Sequence, residues 1–69
     1  MIRISADNKP SCRIFLNGEL LIDQTLPHKK CLLTWSINEP VQQILVTNTS
    51  QYKIMANGIK VRPGKTMSV

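Results

Sequence analysis

Side chains that carry acid–base chemistry are scarce in this sequence. Its 69 residues include four Asp and Glu residues, one His and two Cys. A nucleophilic site needs a base within hydrogen-bond reach and a third group that orients the base. A chain of this size also has little room for a deep cleft, because small domains bury only about 60% of their unfolded surface. The composition therefore predicts a protein that is not an enzyme.

Metal and cofactor motifs are equally hard to assemble from these residues. Cys12, His28 and Cys31 supply at most three ligands, whereas a structural zinc site takes four. The Gly-Lys-Thr triplet at positions 64–66 matches the end of a phosphate-binding loop, but that loop needs a glycine where Ile59 stands. We therefore expect no metal, nucleotide or other cofactor.

Long apolar runs and an export signal are also missing. A membrane-spanning helix needs about 20 apolar residues in a row, and no segment approaches that length. No basic and apolar run precedes a cleavage site near the first residue. We expect one soluble domain, residues 1–69, with no membrane contact, in the cytoplasm or in a virion if the protein is viral. The sequence leaves open whether Cys12 and Cys31 form a disulfide.

Short apolar runs separated by turn residues at intervals of about eight to twelve positions predict an all-β fold. We expect about seven short antiparallel strands in a small sandwich, with a small barrel as one alternative. The other alternative is an α+β fold with one short helix near residues 38–45, where Val41, Ile44 and Leu45 fall at helical spacing. One predicted strand runs from Cys31 to Ile37.

The order of elements near the carboxyl end adds a resemblance. From Ile44 to Val69 the chain runs as a strand into Val46-Thr47-Asn48, then a hairpin, a Pro-Gly turn and a terminal strand. This order resembles the closing strands of immunoglobulin-like β-sandwich modules. The resemblance implies a sandwich rather than a barrel.

Two Asn-Gly pairs predict tight hairpins, because a type I′ turn needs positive φ at both central residues. The turn at Asn17-Gly18 would pair Leu16 with Glu19, Phe15 with Leu20, Ile14 with Leu21 and Arg13 with Ile22. Both faces of this hairpin would then be apolar, with Phe15, Leu20 and Ile22 on one side. Such a hairpin is either covered on both sides or exposes an adhesive face.

The two hairpins share a pattern at an offset of 40 residues. Arg13-Ile14-Phe15-Leu16-Asn17-Gly18 in the first matches Lys53-Ile54-Met55-Ala56-Asn57-Gly58 in the second. A duplicated unit would produce such a match. Hairpins of this type also converge on the same residues for reasons of turn chemistry, and convergence is the interpretation that we prefer from the sequence alone.

Positive charge is concentrated in the second half of the chain. The formal net charge is +5, and residues 40–69 carry four bases and no acid. In the second hairpin Tyr52, Ile54, Ala56, Ile59 and Val61 would line the core side. The opposite side would carry Lys53, Lys60 and Arg62. Lys65 and the loop containing Lys29 and Lys30 add further cations nearby in the sequence.

Two functions are compatible with these features. The first is an interaction or structural module, in a homo-oligomer or a larger assembly such as a viral particle or regulatory complex, that binds a protein through Phe15, Leu20 and Ile22. The second is phosphate contact with nucleic acid, or contact with an acidic protein, through the basic residues Lys53, Lys60, Arg62, Lys65, Lys29 and Lys30. We prefer the first, because single-strand binding usually adds aromatic stacking and both Trp35 and Tyr52 are expected to point inward.

Overall fold

The computed structural model describes residues 1–36 and 38–69 and contains eight strands in these ranges. In chain order they are β1 (Ile2–Ser5), β2 (Ser11–Leu16), β3 (Glu19–Thr25), β4 (Lys30–Leu33), β5 (Ile44–Asn48), β6 (Ile54–Ala56), β7 (Ile59–Val61) and β8 (Thr66–Ser68). Sheet A has the order β4-β1-β6-β7 and sheet B the order β3-β2-β5-β8. All paired strands are antiparallel. The predicted all-β sandwich is confirmed.

The α+β alternative is not adopted, and one predicted strand ends early. No helix forms across residues 38–45, because positions 38–43 lack regular structure and β5 begins at Ile44. The strand predicted from Cys31 to Ile37 ends at Leu33, and Ile37 itself lies outside the described residues. Trp35 nevertheless packs, partly buried, against the core. The connectivity also differs from the immunoglobulin arrangement, since β1 and β2 belong to different sheets.

The core lies between the two sheets and follows the two-residue period of extended chains. In β2, for example, Cys12, Ile14 and Leu16 are buried while Arg13 between them is exposed. The buried cluster consists of Ile2, Ile4, Cys12, Ile14, Leu26, Val46, Ile54, Ala56 and Val61. Aliphatic side chains from both sheets therefore supply almost all of the apolar burial that stabilises the fold.

Both Asn-Gly turns form as predicted, and each also anchors a neighbouring segment. Asn17 and Asn57 have positive φ angles of 50° and 49°. The Asn57 backbone N–H donates to the Arg3 carbonyl at 2.9 Å, and the Arg3 N–H donates to Asn57 Oδ1 at 2.9 Å. Asn17 makes the same pair of bonds with Gln43, at 3.0 Å and 3.1 Å. Each turn thus fixes the strand that enters the sheet beside its hairpin.

These shared bonds belong to a wider pseudo-twofold symmetry. Each strand of the first half has a counterpart four places later in the chain, so that β1 corresponds to β5 and β4 to β8. When every strand is exchanged with its counterpart, the strand order of sheet A becomes that of sheet B. The residue pairing follows the same rule. Ile4 pairs with Ala56 in sheet A, and the residues at the equivalent positions 40 places away, Ile44 and Leu16, pair with each other in sheet B. Turn chemistry accounts for the hairpins but not for the matching strand order. The match between the two halves therefore extends beyond the hairpins to the strand order of both sheets.

The predicted register of the first hairpin is confirmed near the turn and wrong beyond it. Leu16 faces Glu19 and Phe15 faces Leu20, but the register then shifts and Ile14 faces Ile22. The extra residue is Leu21, the additional position of a β-bulge. The bulge turns Ile22 towards the core, where it packs partly buried, and leaves Leu21 exposed.

Asn48 is the buried polar residue at the centre of the fold. Its Nδ2 donates to the carbonyls of Tyr52 at 2.8 Å and Val61 at 2.9 Å, and its Oδ1 accepts from the backbone N–H and hydroxyl of Ser50. Its backbone N–H donates to Lys65 O and its carbonyl accepts from Gly64 N. Because Asn48 is in sheet B and Val61 in sheet A, this side chain links the two sheets.

The substitution Asn48→Ala should lower the free energy of unfolding by about 3 kcal/mol, because it leaves buried carbonyls without donors. The matched control is Asn8→Ala, at the position 40 residues earlier, where the side chain is exposed; its effect should stay within about 0.5 kcal/mol. Urea unfolding followed by Trp35 fluorescence measures both. Equal losses in the two variants would contradict the role assigned to Asn48.

Candidate interaction surfaces

An apolar row crosses the outer face of sheet B. Phe15 pairs with Leu20 of β3 on one side and with Leu45 of β5 on the other. Leu20 is 54% exposed, and Phe15 and Leu45 are partly buried. Cross-strand neighbours lie on the same side of a sheet, so these three side chains form one continuous surface, here called the apolar row.

The rest of this outer face is polar and internally bonded. Arg13 forms an ion pair with Asp23 of the neighbouring strand, with 3.3 Å between Nε and Oδ2. The hydroxyls of Thr47 and Thr66 are hydrogen-bonded at 2.7 Å, and those of Ser11 and Thr49 at 2.9 Å. These polar groups therefore already have partners within the chain, which leaves the apolar row as the part of the face that gains most from being covered.

The structure brings together two of the three residues predicted for the apolar contact. Phe15 and Leu20 share the outer face, but Ile22 lies on the core side because of the bulge at Leu21. Leu45 was missed by the sequence analysis. Only its pairing with Phe15 in the folded sheet reveals that it belongs to the same surface.

The outer face of sheet A is cationic. One cross-strand row runs through Lys30, Ser5, Met55 and Lys60. Arg3, paired with Leu32, lies in the next row on this face. The alternation predicted for the second hairpin is confirmed, since Lys53, Lys60 and Arg62 are exposed while Ile54, Ala56 and Val61 are buried. Ile59 is the exception on the core side, at 38% exposure in the edge strand β7.

Four of the six predicted cations lie outside this row: Lys53 and Arg62 flank the strands of the second hairpin, and Lys29 and Lys65 lie in other segments. Lys29 precedes β4, and its carbonyl accepts the Ala6 N–H at 2.9 Å. Lys65 lies in the turn that carries the chain from sheet A to sheet B, where its carbonyl accepts the Asn48 N–H. Both side chains are exposed. Arg3 was missed by the sequence analysis, because 50 or more positions separate it from the hairpin lysines and only strand pairing brings it to this face.

Two adjoining depressions cut into the cationic face. The larger, of about 370 Å³, is lined by Arg3, Ile4, Ser5, Lys30, Cys31 and Leu32. The smaller, of about 220 Å³, is lined by Ser5, Ala6, Asp7, Lys30, Lys53 and Met55. They share Ser5 and Lys30 as lining residues, and the two depressions together are here called the cationic groove.

The thiols do not form a nucleophilic site. Both cysteines are free. Burial, with smaller contributions from Cys31 and Asp23, raises the pKa of the Cys12 thiol to about 11. The Cys31 Sγ donates to the His28 carbonyl at 3.3 Å, so the contact is to backbone and not to the imidazole. Across residues 1–36 and 38–69, no three His, Cys, Asp or Glu side chains are grouped to hold a metal ion.

Comparisons with protein-family models, curated proteins and solved structures found no match. In the part of the chain that the structure describes, no helix is long and apolar enough to cross a membrane.

The raised pKa of Cys12 predicts a pH dependence of stability. An unfolded thiol loses its proton near its ordinary pKa of 9.0, whereas the folded thiol keeps it until about pH 11. Between these two pH values the thiol ionises in the unfolded state but not in the folded state, and this ionisation stabilises the unfolded state. The Cys12 contribution to the free energy of unfolding is therefore constant below about pH 9 and falls as the pH rises towards 11.

Urea unfolding at pH 7, 9 and 10.5 measures this effect. The stability difference between the wild type and Cys12→Val should change in favour of the variant above pH 9, because valine cannot ionise. A Cys31→Ala variant should keep most of the wild-type dependence on pH, because it removes a smaller contribution and leaves the burial of Cys12, the largest cause, in place. A constant difference between wild type and Cys12→Val across the three pH values would contradict the assignment.

Proposed function

We propose that this protein is a non-enzymatic interaction module that self-associates through the apolar row of sheet B. The observation that carries the proposal is the alignment of Leu20, Phe15 and Leu45 on one outer face. Soluble monomers rarely expose large contiguous apolar patches, and such patches usually mark contact sites. Phe15 gives the row an aromatic centre, the kind of residue that contributes most to binding energy in protein interfaces.

A second copy of the chain is the partner that the charges favour. The molecule carries a formal charge of +5, and the cations of sheet A lie on the side opposite the apolar row. Two copies that meet on sheet B keep these cationic faces apart, which limits their mutual repulsion. A twofold interface uses the same patch on both copies, and an apolar row is complementary to itself.

The edge of sheet B supports contact at the same place. β3 is the longest strand of the structure, with seven residues, and it pairs on one side only. Leu20 and Leu21 are exposed on it, and a small cavity of about 90 Å³ lies beside them. Small domains have limited cores and often gain stability by oligomerisation. Covering this edge and the apolar row together would add the apolar burial that one chain cannot supply.

Leu20→Ser should weaken self-association roughly tenfold or more, because burying the exposed half of this leucine contributes about 1 kcal/mol in each of the two copies. The matched control is Leu32→Ser on sheet A, whose side chain is 55% exposed compared with 54% for Leu20. Sedimentation equilibrium over a range of protein concentrations gives the dissociation constants. The control should associate like the wild type.

Two results would refute this proposal. One is a wild-type protein that stays monomeric at the highest concentrations reached. The other is a loss of association in Leu32→Ser with none in Leu20→Ser, which would place the contact on sheet A.

A further inference from the structure

We infer that the cationic groove of sheet A binds the phosphate backbone of a single-stranded nucleic acid. Arg3 and Lys30 line the larger depression, Lys30 and Lys53 line the smaller one, and Ser5 lines both. Lys60 extends the same row on the neighbouring strand. The inference concerns a different face from the apolar row and does not depend on self-association.

The cations of the groove are free to accept an external anion. Among residues 1–36 and 38–69, the ion pair formed is that between Arg13 and Asp23 on sheet B. Arg3, Lys30, Lys53 and Lys60 are all exposed. Neighbouring strands are about 4.8 Å apart, so Arg3 of β1 and Lys30 of the adjacent β4 lie close enough to repel one another. Lys60 of β7 is three strands, or about 14 Å, from Lys30. A polyanion would relieve that repulsion, and its release of counterions would favour binding.

The composition of the face favours nucleic acid over an acidic protein. Lysine is depleted in protein–protein interfaces, which depend on aromatic and apolar anchors. Interfaces with nucleic acid are much more positively charged. Three of the four cations here are lysines, and the residues between them are Ser5 and Met55. The face therefore has the charge for phosphates and lacks the aromatic anchors of a protein contact.

The geometry favours contact with backbone rather than with bases. The three aromatic side chains of the sequence are assigned elsewhere: Phe15 to sheet B, Trp35 to the core, and Tyr52 to a hydrogen bond from its hydroxyl to the Lys9 carbonyl. Base stacking platforms are thus absent from this face, and sequence preference should be weak. A flexible single strand can follow the joined depressions, whereas a rigid duplex would rest on their rims.

Asp7 provides an internal test of the electrostatics. It lines the smaller depression together with Lys30 and Lys53, and its carboxylate should repel a phosphate chain. Asp7→Asn should therefore strengthen binding, while removal of groove cations should weaken it. A general loss of structure would weaken binding in every variant. Stronger binding by Asp7→Asn together with weaker binding by the cation variants would therefore indicate a specific electrostatic site.

The experiment is fluorescence anisotropy with a labelled mixed-sequence 30-nucleotide single strand between 50 and 200 mM salt. If about three phosphates are contacted, a plot of the logarithm of the association constant against the logarithm of the salt concentration should have a slope of about −2. The double variant Arg3→Gln/Lys30→Gln should bind roughly tenfold or more weakly at 50 mM salt, and its slope should be less steep by about 1.4. The matched control Lys29→Gln/Lys65→Gln removes two exposed cations that lie off the groove and should bind nearly as the wild type does.

Each other result has a definite meaning. Equal weakening in the two double variants would show attraction by net charge alone and would overturn the site. Tighter binding to the matching duplex would overturn the single-strand assignment. A poly-glutamate peptide that competes as well as the oligonucleotide would make the face a protein contact, again against the inference. No binding at 50 mM salt would end it, and none of these outcomes bears on the Leu20→Ser measurement.

Discussion

The amide of Asn48 is the point at which the two sheets and two loops meet. A buried polar group is costly unless every donor and acceptor is bonded, and this residue satisfies both its side chain and its backbone within the chain. Its bond to Val61 fixes sheet A against sheet B, and its bonds to Ser50 and Tyr52 shape the loop before β6. Aliphatic burial supplies most of the stability, but it is non-directional. The hydrogen bonds of the Asn48 amide are directional, and they fix the position of one sheet against the other.

The two surfaces follow from how the halves of the chain are interleaved. Each sheet combines the hairpin of one half with two single strands of the other. In sheet B, Leu45 of the second half therefore lies beside Phe15 of the first and completes the apolar row. In sheet A, Arg3 and Lys30 of the first half lie near the lysines of the second hairpin. Pseudo-symmetric backbones thus carry opposite chemistry on their outer faces.

The internal symmetry also shows how equivalent positions have taken on different roles. Asn8 and Asn48 are related by the offset of 40 residues, yet Asn8 is exposed and Asn48 is buried. The two Asn-Gly turns, by contrast, keep the same pair of hydrogen bonds, one donated by the Asn backbone N–H and one accepted by its Oδ1. Turn geometry tolerates few residues at positive φ, whereas the environment of a loop asparagine is set by the segments that close over it.

What the sequence determined by itself was local: the all-β class, both hairpin turns and the alternation of exposed Lys53 and Lys60 with buried Ile54 and Val61. These depend on φ preferences and on a two-residue period, which act between adjacent residues. The tertiary structure decided the bulge at Leu21, the inward position of Ile22, and the membership of Leu45 and Arg3 in the two surfaces. Each of these depends on which strands pair, and strand pairing is set by burial between segments far apart in the chain.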